Sequence, residues 1–150
     1  MPIRCEIVSQ DRTVFEGDVD IVVIPGTDGE MGILPNHAPL LSTIRLGVIR
    51  VRQAGQEQLF TITGGLVEVQ PTIVTILADA AEDIAEIDLA RAEEAKRRAE
   101  QRLAEGLPLN TEAHLAAEAA LHRSTLRLEV ARRYGRSRRT SERPTPPSDE

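Results

Sequence analysis

The spacing of apolar residues changes period once, near residue 82, and that change splits the chain into two unlike parts. Before it, apolar side chains recur at every second position. Ile3, Cys5 and Ile7 alternate with Arg4 and Glu6, as in a strand buried on one face, where successive side chains point to opposite sides. "VDIVVIPG" is a near-continuous apolar run closed by Pro25-Gly26. "GVIRVRQAGQEQLFTITGG" predicts two strands about a turn at Ala54-Gly55, and "LVEVQPTIVTILAD" two more about Gln70-Pro71. Many short strands with frequent turn residues predict an antiparallel sandwich or barrel rather than a βαβ arrangement. Gly64-Gly65 falls between strands, where a bend, a bulge or a close backbone approach needs a residue without Cβ.

After residue 82 the spacing becomes three and four. Leu89, Ala92, Ala95, Ala99 and Leu103 share one face of a helix, and Ala113, Ala117, Leu121, Ser124, Leu128 and Ala131 share one face of another. Between them "EGLPLNTE" supplies a stop and a restart. Gly106 suits a helix end, Pro108 prevents continuation, and Asn110 or Thr111 can cap the second helix with Glu112 in its first turn. The short connection predicts an antiparallel hairpin. Its seam is mostly alanine, so it buries little apolar area per turn, and a hairpin able to detach or extend is expected. The expected architecture is therefore α+β: a β region over 1–82, a helical hairpin over 83–134, and a disordered tail over 135–150, where "TSERPTPPSDE" is rich in Pro, Ser and charge.

Composition narrows the function classes. Aromatics are limited to Phe15, Phe60 and Tyr134, so the core must be built from Ile, Val and Leu. Cys5 is the single cysteine, which forbids an internal disulfide and suits a reducing compartment. His37, His114 and His122 are too scattered to suggest a shared metal, and no redox cofactor is indicated. No stretch approaches the ~20 apolar residues of a membrane span, and the amino terminus lacks the basic-then-apolar pattern of an export signal. The formal charge of −6 is unevenly spread: residues 1–122 are acidic, whereas residues 123–143 carry eight arginines against Glu129 and Glu142. A basic segment on an acidic body points to an acidic partner, or else to arginines that merely solvate a helix. Nucleic acid is disfavoured as that partner by the acidic body and the lack of stacking aromatics.

No catalytic constellation is present. Serines are few, no acid pair has a distinctive spacing, and His37 in "LPNHAPL" lacks an evident nucleophile beside it. No Gly-rich phosphate loop precedes a helix. The most distinctive stretch is "GTDGEMGILPNHAPLLSTI", where Gly26, Gly29, Gly32, Pro35 and Pro39 shape tight loops around Glu30 and His37. Those loops are either turn chemistry alone or a rigid edge presented to another protein.

"GEMGILPNHAPLL", followed in order by "LGVIRV", "FTITGGLVEVQPTIVTILAD" and "IDLARAEEAKRRAE", resembles the epsilon subunit of F-type ATP synthase over residues 1 to about 134. The resemblance implies a β-sandwich of about ten strands followed by a regulatory helical hairpin, in a rotor subunit without catalytic activity. The sandwich would grip the gamma subunit and rest on the ring of c subunits, with Glu30 and His37 on the ring side. Membrane association would come only through the complex, on the cytoplasmic face of the bacterial plasma membrane or the stromal face of the thylakoid. Extended, the hairpin would reach the alpha and beta subunits of the catalytic head and block ATP hydrolysis. There Arg123, Arg127, Arg132 and Arg133 would meet an acidic stretch of beta.

The same resemblance bears on "IDLARA". On local grounds Asp88 is a helix cap, with Asp83 a competing start, and Arg91 is a solvated side chain. The family's nucleotide motif reads Ile or Leu, Asp, two free positions, Arg, Ala, and Ile87, Asp88, Arg91 and Ala92 match it. In members that bind ATP an acid six residues before the Asp takes part, matched by Glu82. An arginine further along the first helix matches Arg98, and two arginines four apart on the second helix match Arg123 and Arg127. The connection between the helices is about two residues longer than in those members. ATP is thus the expected regulatory ligand. The rival function is an ATP-sensing module that acts alone.

Overall fold

The computed structural model describes residues 1–141, with side chains as far as Tyr134. Two compact units divide at Ile87 and Asp88. The first contains ten strands: β1 Ile3–Val8, β2 Thr13–Val19, β3 Ile21–Gly26, β4 Gly29–Ile33, β5 Leu40–Ile44, β6 Gly47–Gln53, β7 Gln56–Ile62, β8 Gly65–Val69, β9 Ile73–Ala78 and β10 Ala81–Asp83. They form one hydrogen-bonded path, β10-β7-β6-β3-β5-β8-β9-β1-β2, with β4 added to β3. The path folds over itself, bringing β2 from one end towards β6 and β10 at the other.

The expected alternation is present where it was read. Ile3, Cys5 and Ile7 are wholly buried while Arg4 and Glu6 face outward. On the outer face Arg4 is ringed by Glu6, Glu16 and Asp18, which ties β1 to β2 through charge. The interior is aliphatic, and Phe60 is its largest fully buried side chain, with Phe15 tilted against it at 5.4 Å between ring centroids. Ala54 and Gly55, at φ 49° and 77°, make the β6–β7 turn. Positive φ at both central residues matches the right-handed twist of a two-residue hairpin.

One pairing departs from the antiparallel expectation: β1 runs parallel to β9, with Arg4 opposite Ile73 and Val8 opposite Leu77. Alternation has the same period in either orientation, so it carries no sign of strand direction.

The second unit holds α1 Leu89–Ala104 and α2 Glu112–Ser141. Arg132, late in α2, pairs with Glu93, early in α1, at 3.4 Å. With a connection of only seven residues between the helices, that register makes them antiparallel. Ala92, Ala99, Ala117, Ser124, Leu128 and Ala131 are buried, as the spacing predicts, and Ala95, Leu103 and Leu121 are half-buried, whereas Leu89 and Ala113 are exposed. Ser124 returns its hydroxyl to the Ala120 carbonyl at 2.7 Å, which lets a polar side chain sit inside the helix pair.

Two boundaries differ from the expected ones. The second unit begins at Asp88 rather than 83, because residues 81–83 pair with β7. The second helix passes the expected end at Tyr134 and continues to Ser141. Gly135 alone costs about 1 kcal/mol in a helix and does not stop it. Residues 142–150 of the expected tail lie outside the described residues.

Candidate functional site

Both candidate helix starts are used, one after the other. Asp83 caps a single 3-10 turn, Ile84–Glu86, by accepting the Ala85 amide on Oδ1 at 2.9 Å. The turn closes through the Ile87 amide onto the Ile84 carbonyl. Ile87 is extended, at φ −71° and ψ 121°, and the chain restarts at Asp88, which caps α1. Asp88 Oδ1 accepts the Arg91 amide at 3.2 Å, and the Ala92 amide reaches the Asp88 carbonyl at 3.0 Å.

The nucleotide-motif residues therefore have local roles of their own. Asp88 is the cap. Ala92 is 2% exposed, and its small side chain suits the close approach of the helices. Arg91 and Arg98 are exposed, two turns apart on one side of α1. Arg123 is exposed and Arg127 half-buried, one turn apart on α2. Glu82 and Ile87, both half-buried, belong to the first unit, and the other six to the second.

The four arginines assigned to the extended arm do not form one stripe. At 3.6 residues per turn, Arg132 lies about 180° around α2 from Arg123, and Arg133 about 80° from Arg123 and about 100° from Arg132. Arg132 is engaged by Glu93, and the Arg133 guanidinium stands 5.6 Å from the centre of the Tyr134 ring. Only Arg123 and Arg127 share a face.

In the first unit, Glu30 is exposed on β4 opposite Pro25, beside the Gly26–Gly29 turn. His37 occupies a separate turn, fixed by Asn36 at φ 64°, whose amide donates to the Pro71 carbonyl at 2.9 Å. His37 Nδ1 lies 2.8 Å from the Ala38 carbonyl, so that nitrogen carries the proton. The histidine is thereby tied to its own turn.

A feature not singled out from sequence is an apolar row on the outer sheet face. Leu66 on β8 lies directly opposite Leu77 on β9, at 44% and 54% exposure, and Leu41 on β5 is diagonal to Leu66 at 71%. The signal was available: Leu66 and Leu77, with Ile73, are the out-of-phase apolar residues in "LVEVQPTIVTILAD". Among the described residues no group of three His, Cys, Asp or Glu side chains is placed to hold a metal ion. No described helix is long and apolar enough to cross a membrane.

Comparison with known proteins accounts for both units. Residues 2–84 match the sequence model of the ATP synthase delta/epsilon chain β-sandwich domain, and residues 85–132 that of the long α-helix domain of the same chain. The ATP synthase epsilon chain of Desulforamulus reducens is 43% identical over 129 residues, covering 85% of this chain and 96% of its own. That of Halalkalibacterium halodurans is 44% identical over 131 residues, covering 87% and 98%. A chain in the mitochondrial ATP synthase of Euglena gracilis, from a structure of its OSCP, F1 and c-ring, superposes with a TM-score of 0.67 at 25% identity, over 87% of this chain and 81% of that one. Two consecutive family domains, near-complete coverage of both epsilon chains and a shared fold together place this chain in the ATP synthase delta/epsilon family, among its epsilon chains.

Proposed function

We propose that the chain works as a rotor subunit of F-type ATP synthase, with no catalytic role of its own. Its β unit grips the gamma subunit and rests on the c-ring, and its helices form an arm that restrains ATP hydrolysis. The observation that carries the β unit's part is the Leu66–Leu77 row with Leu41: a contiguous apolar strip on an outer sheet face marks a surface that another protein covers. Glu30 and His37, on separately fixed turns, are assigned to the ring side. Membrane association on the cytoplasmic or stromal face follows from the ring alone.

The arm reading is supported by the chemistry of the second unit. Among its described residues, five of the eight buried ones are alanine or serine, with Leu126, Leu128 and Val130 the larger ones, so the apolar area buried per turn is modest. Its α2 helix is basic, which fits an acidic stretch of a catalytic beta subunit, Arg123 and Arg127 from one side and Arg132 and Arg133 from others. ATP is the proposed regulator, with its phosphates drawn to Arg91 and Arg98 of α1 and Arg123 and Arg127 of α2. A ligand that bridges both helices stabilises the compact arm by its differential affinity for that state.

Truncation after Ile87 in the assembled complex tests the arm. The β unit should still assemble with gamma, and ATP hydrolysis by the complex should rise. Unchanged hydrolysis would remove the inhibitory role.

A further inference from the structure

The segment that leaves the β unit is held unlike any other strand in it. β10 has three residues where the other strands have five to seven. None of its residues is fully buried, and the 3-10 turn after it has no buried residue either. Ala81 packs partly against the core, and Ile84 and Ile87 are half-buried, but most of what holds this segment is polar. Ala81, Glu82 and Asp83 pair with Ile62, Thr61 and Phe60 along β7. Gln58, further along β7, donates from Nε2 to Asp83 Oδ2 at 2.7 Å in a partly buried position. The other oxygen of the same carboxylate accepts the Ala85 amide. One side chain thus fastens the segment to β7 and starts the turn. Arg12 reaches Glu86 at 3.7 Å, but both are more than half exposed, so that pair adds little.

We infer that Ala81–Ile87 is a detachable strap, latched to β7 by the Gln58–Asp83 hydrogen bond and able to leave the sheet without disturbing its core. Local opening is cheapest where few apolar side chains are buried, and here no residue of the strand or of the turn after it is fully buried. The sheet loses only its short terminal strand, while Phe60 and Ile62 stay packed among the core residues. Released, seven residues span at most roughly 25 Å when extended. A docked edge strand would become slack in the tether to the helices, which extends the reach of the arm. That consequence rests on the arm reading above; the strap itself does not.

Native-state amide exchange on the full chain tests it, for the wild type and Gln58→Ala. In the wild type the amides of Ala85 and Ile87 should exchange more slowly than in a free peptide, yet faster than those of Val67 and Ile76 in the central strands. Loss of a hydrogen bond to a carboxylate should accelerate Ala85 and Ile87 on the order of tenfold. Val67 and Ile76 should be unchanged. Three results would overturn the strap: wild-type protection at 81–87 equal to the core, no acceleration in Gln58→Ala, or acceleration spread evenly over the sheet. None of these bears on hydrolysis after truncation at Ile87, so the two ideas can fail separately.

Discussion

Asp88 Oδ1 accepts the backbone amide of Arg91, so the two residues that define the nucleotide motif are already joined by a helix cap. One carboxylate oxygen satisfies an otherwise orphaned amide of the first turn, and its charge favours the positive end of the helix dipole. Asp88→Ala should therefore cost about 1 kcal/mol of helix stability whether or not ATP binds. Asn keeps the cap and gives up the charge, so Asp88→Asn should lose only about 0.5 kcal/mol. Thermal unfolding of both variants, paired with calorimetric titration of ATP, separates the roles. Binding that survives in Asp88→Asn but fails in Asp88→Ala would assign the aspartate to helix structure alone.

That dual role shows what a sequence carries and what it leaves out. The β6–β7 and β8–β9 hairpins are legible because alternation and turn residues are local signals. The Asp83 and Asp88 starts are legible as alternatives, and the chain uses both because Ile87 is extended between them. The parallel β1–β9 pair is not legible, since it joins residues remote in sequence with a period common to both orientations. The site is less legible than the fold. A motif gives spacing along one helix, but which faces of α1 and α2 meet is decided by the residues buried in the seam, among them Ala92, Ala99, Ala117 and Ser124. Leu66 and Leu77 break the alternation because they stand on the outer face, opposite one another across β8 and β9.

Cys5 makes a prediction about pH. Burial in the aliphatic core, helped by nearby Glu6, pushes its thiol up to about 12 from an ordinary value of 9.0. The unfolded chain therefore releases this proton at lower pH than the folded one. The stability concerned is intact below pH 9 and is lost progressively as pH climbs towards 12. At pH 8 a thiol reagent should modify Cys5 only at the rate at which the β unit unfolds. Labelling as fast as that of a free thiol in native buffer would contradict the burial.

Gly65 sits at φ 147°, and a Cβ there would stand 2.1 Å from the Leu77 carbonyl oxygen. Backbone cannot give way as a side chain can. Gly65→Ala should destabilise the β unit by more than about 3 kcal/mol, read as the midpoint of urea unfolding. At Gly64, φ 138°, the nearest obstacle is the Asp79 carboxylate at 2.9 Å, which can swing aside. Gly64→Ala should cost about 1–3 kcal/mol from its backbone alone. Equal effects at the two positions would mean that β8 and β9 adjust more freely than their register implies.

The outer apolar row separates a folding role from a docking role. Leu66 and Leu77 touch across β8 and β9 but leave about half their surface outside, so neither is needed to close the core. Threonine is β-branched, which suits a strand, and it removes the apolar tip. Leu66→Thr and Leu77→Thr should each shift unfolding stability by less than about 1 kcal/mol. Burying the exposed half of one such leucine against a partner is worth about 0.8–1.5 kcal/mol, so each variant should weaken attachment to gamma several-fold, to about tenfold at most. Titration of an epsilon-depleted complex with each variant reads that loss directly. Undiminished attachment of both would move the gamma contact to another face of the sheet and leave the row without its proposed occupant.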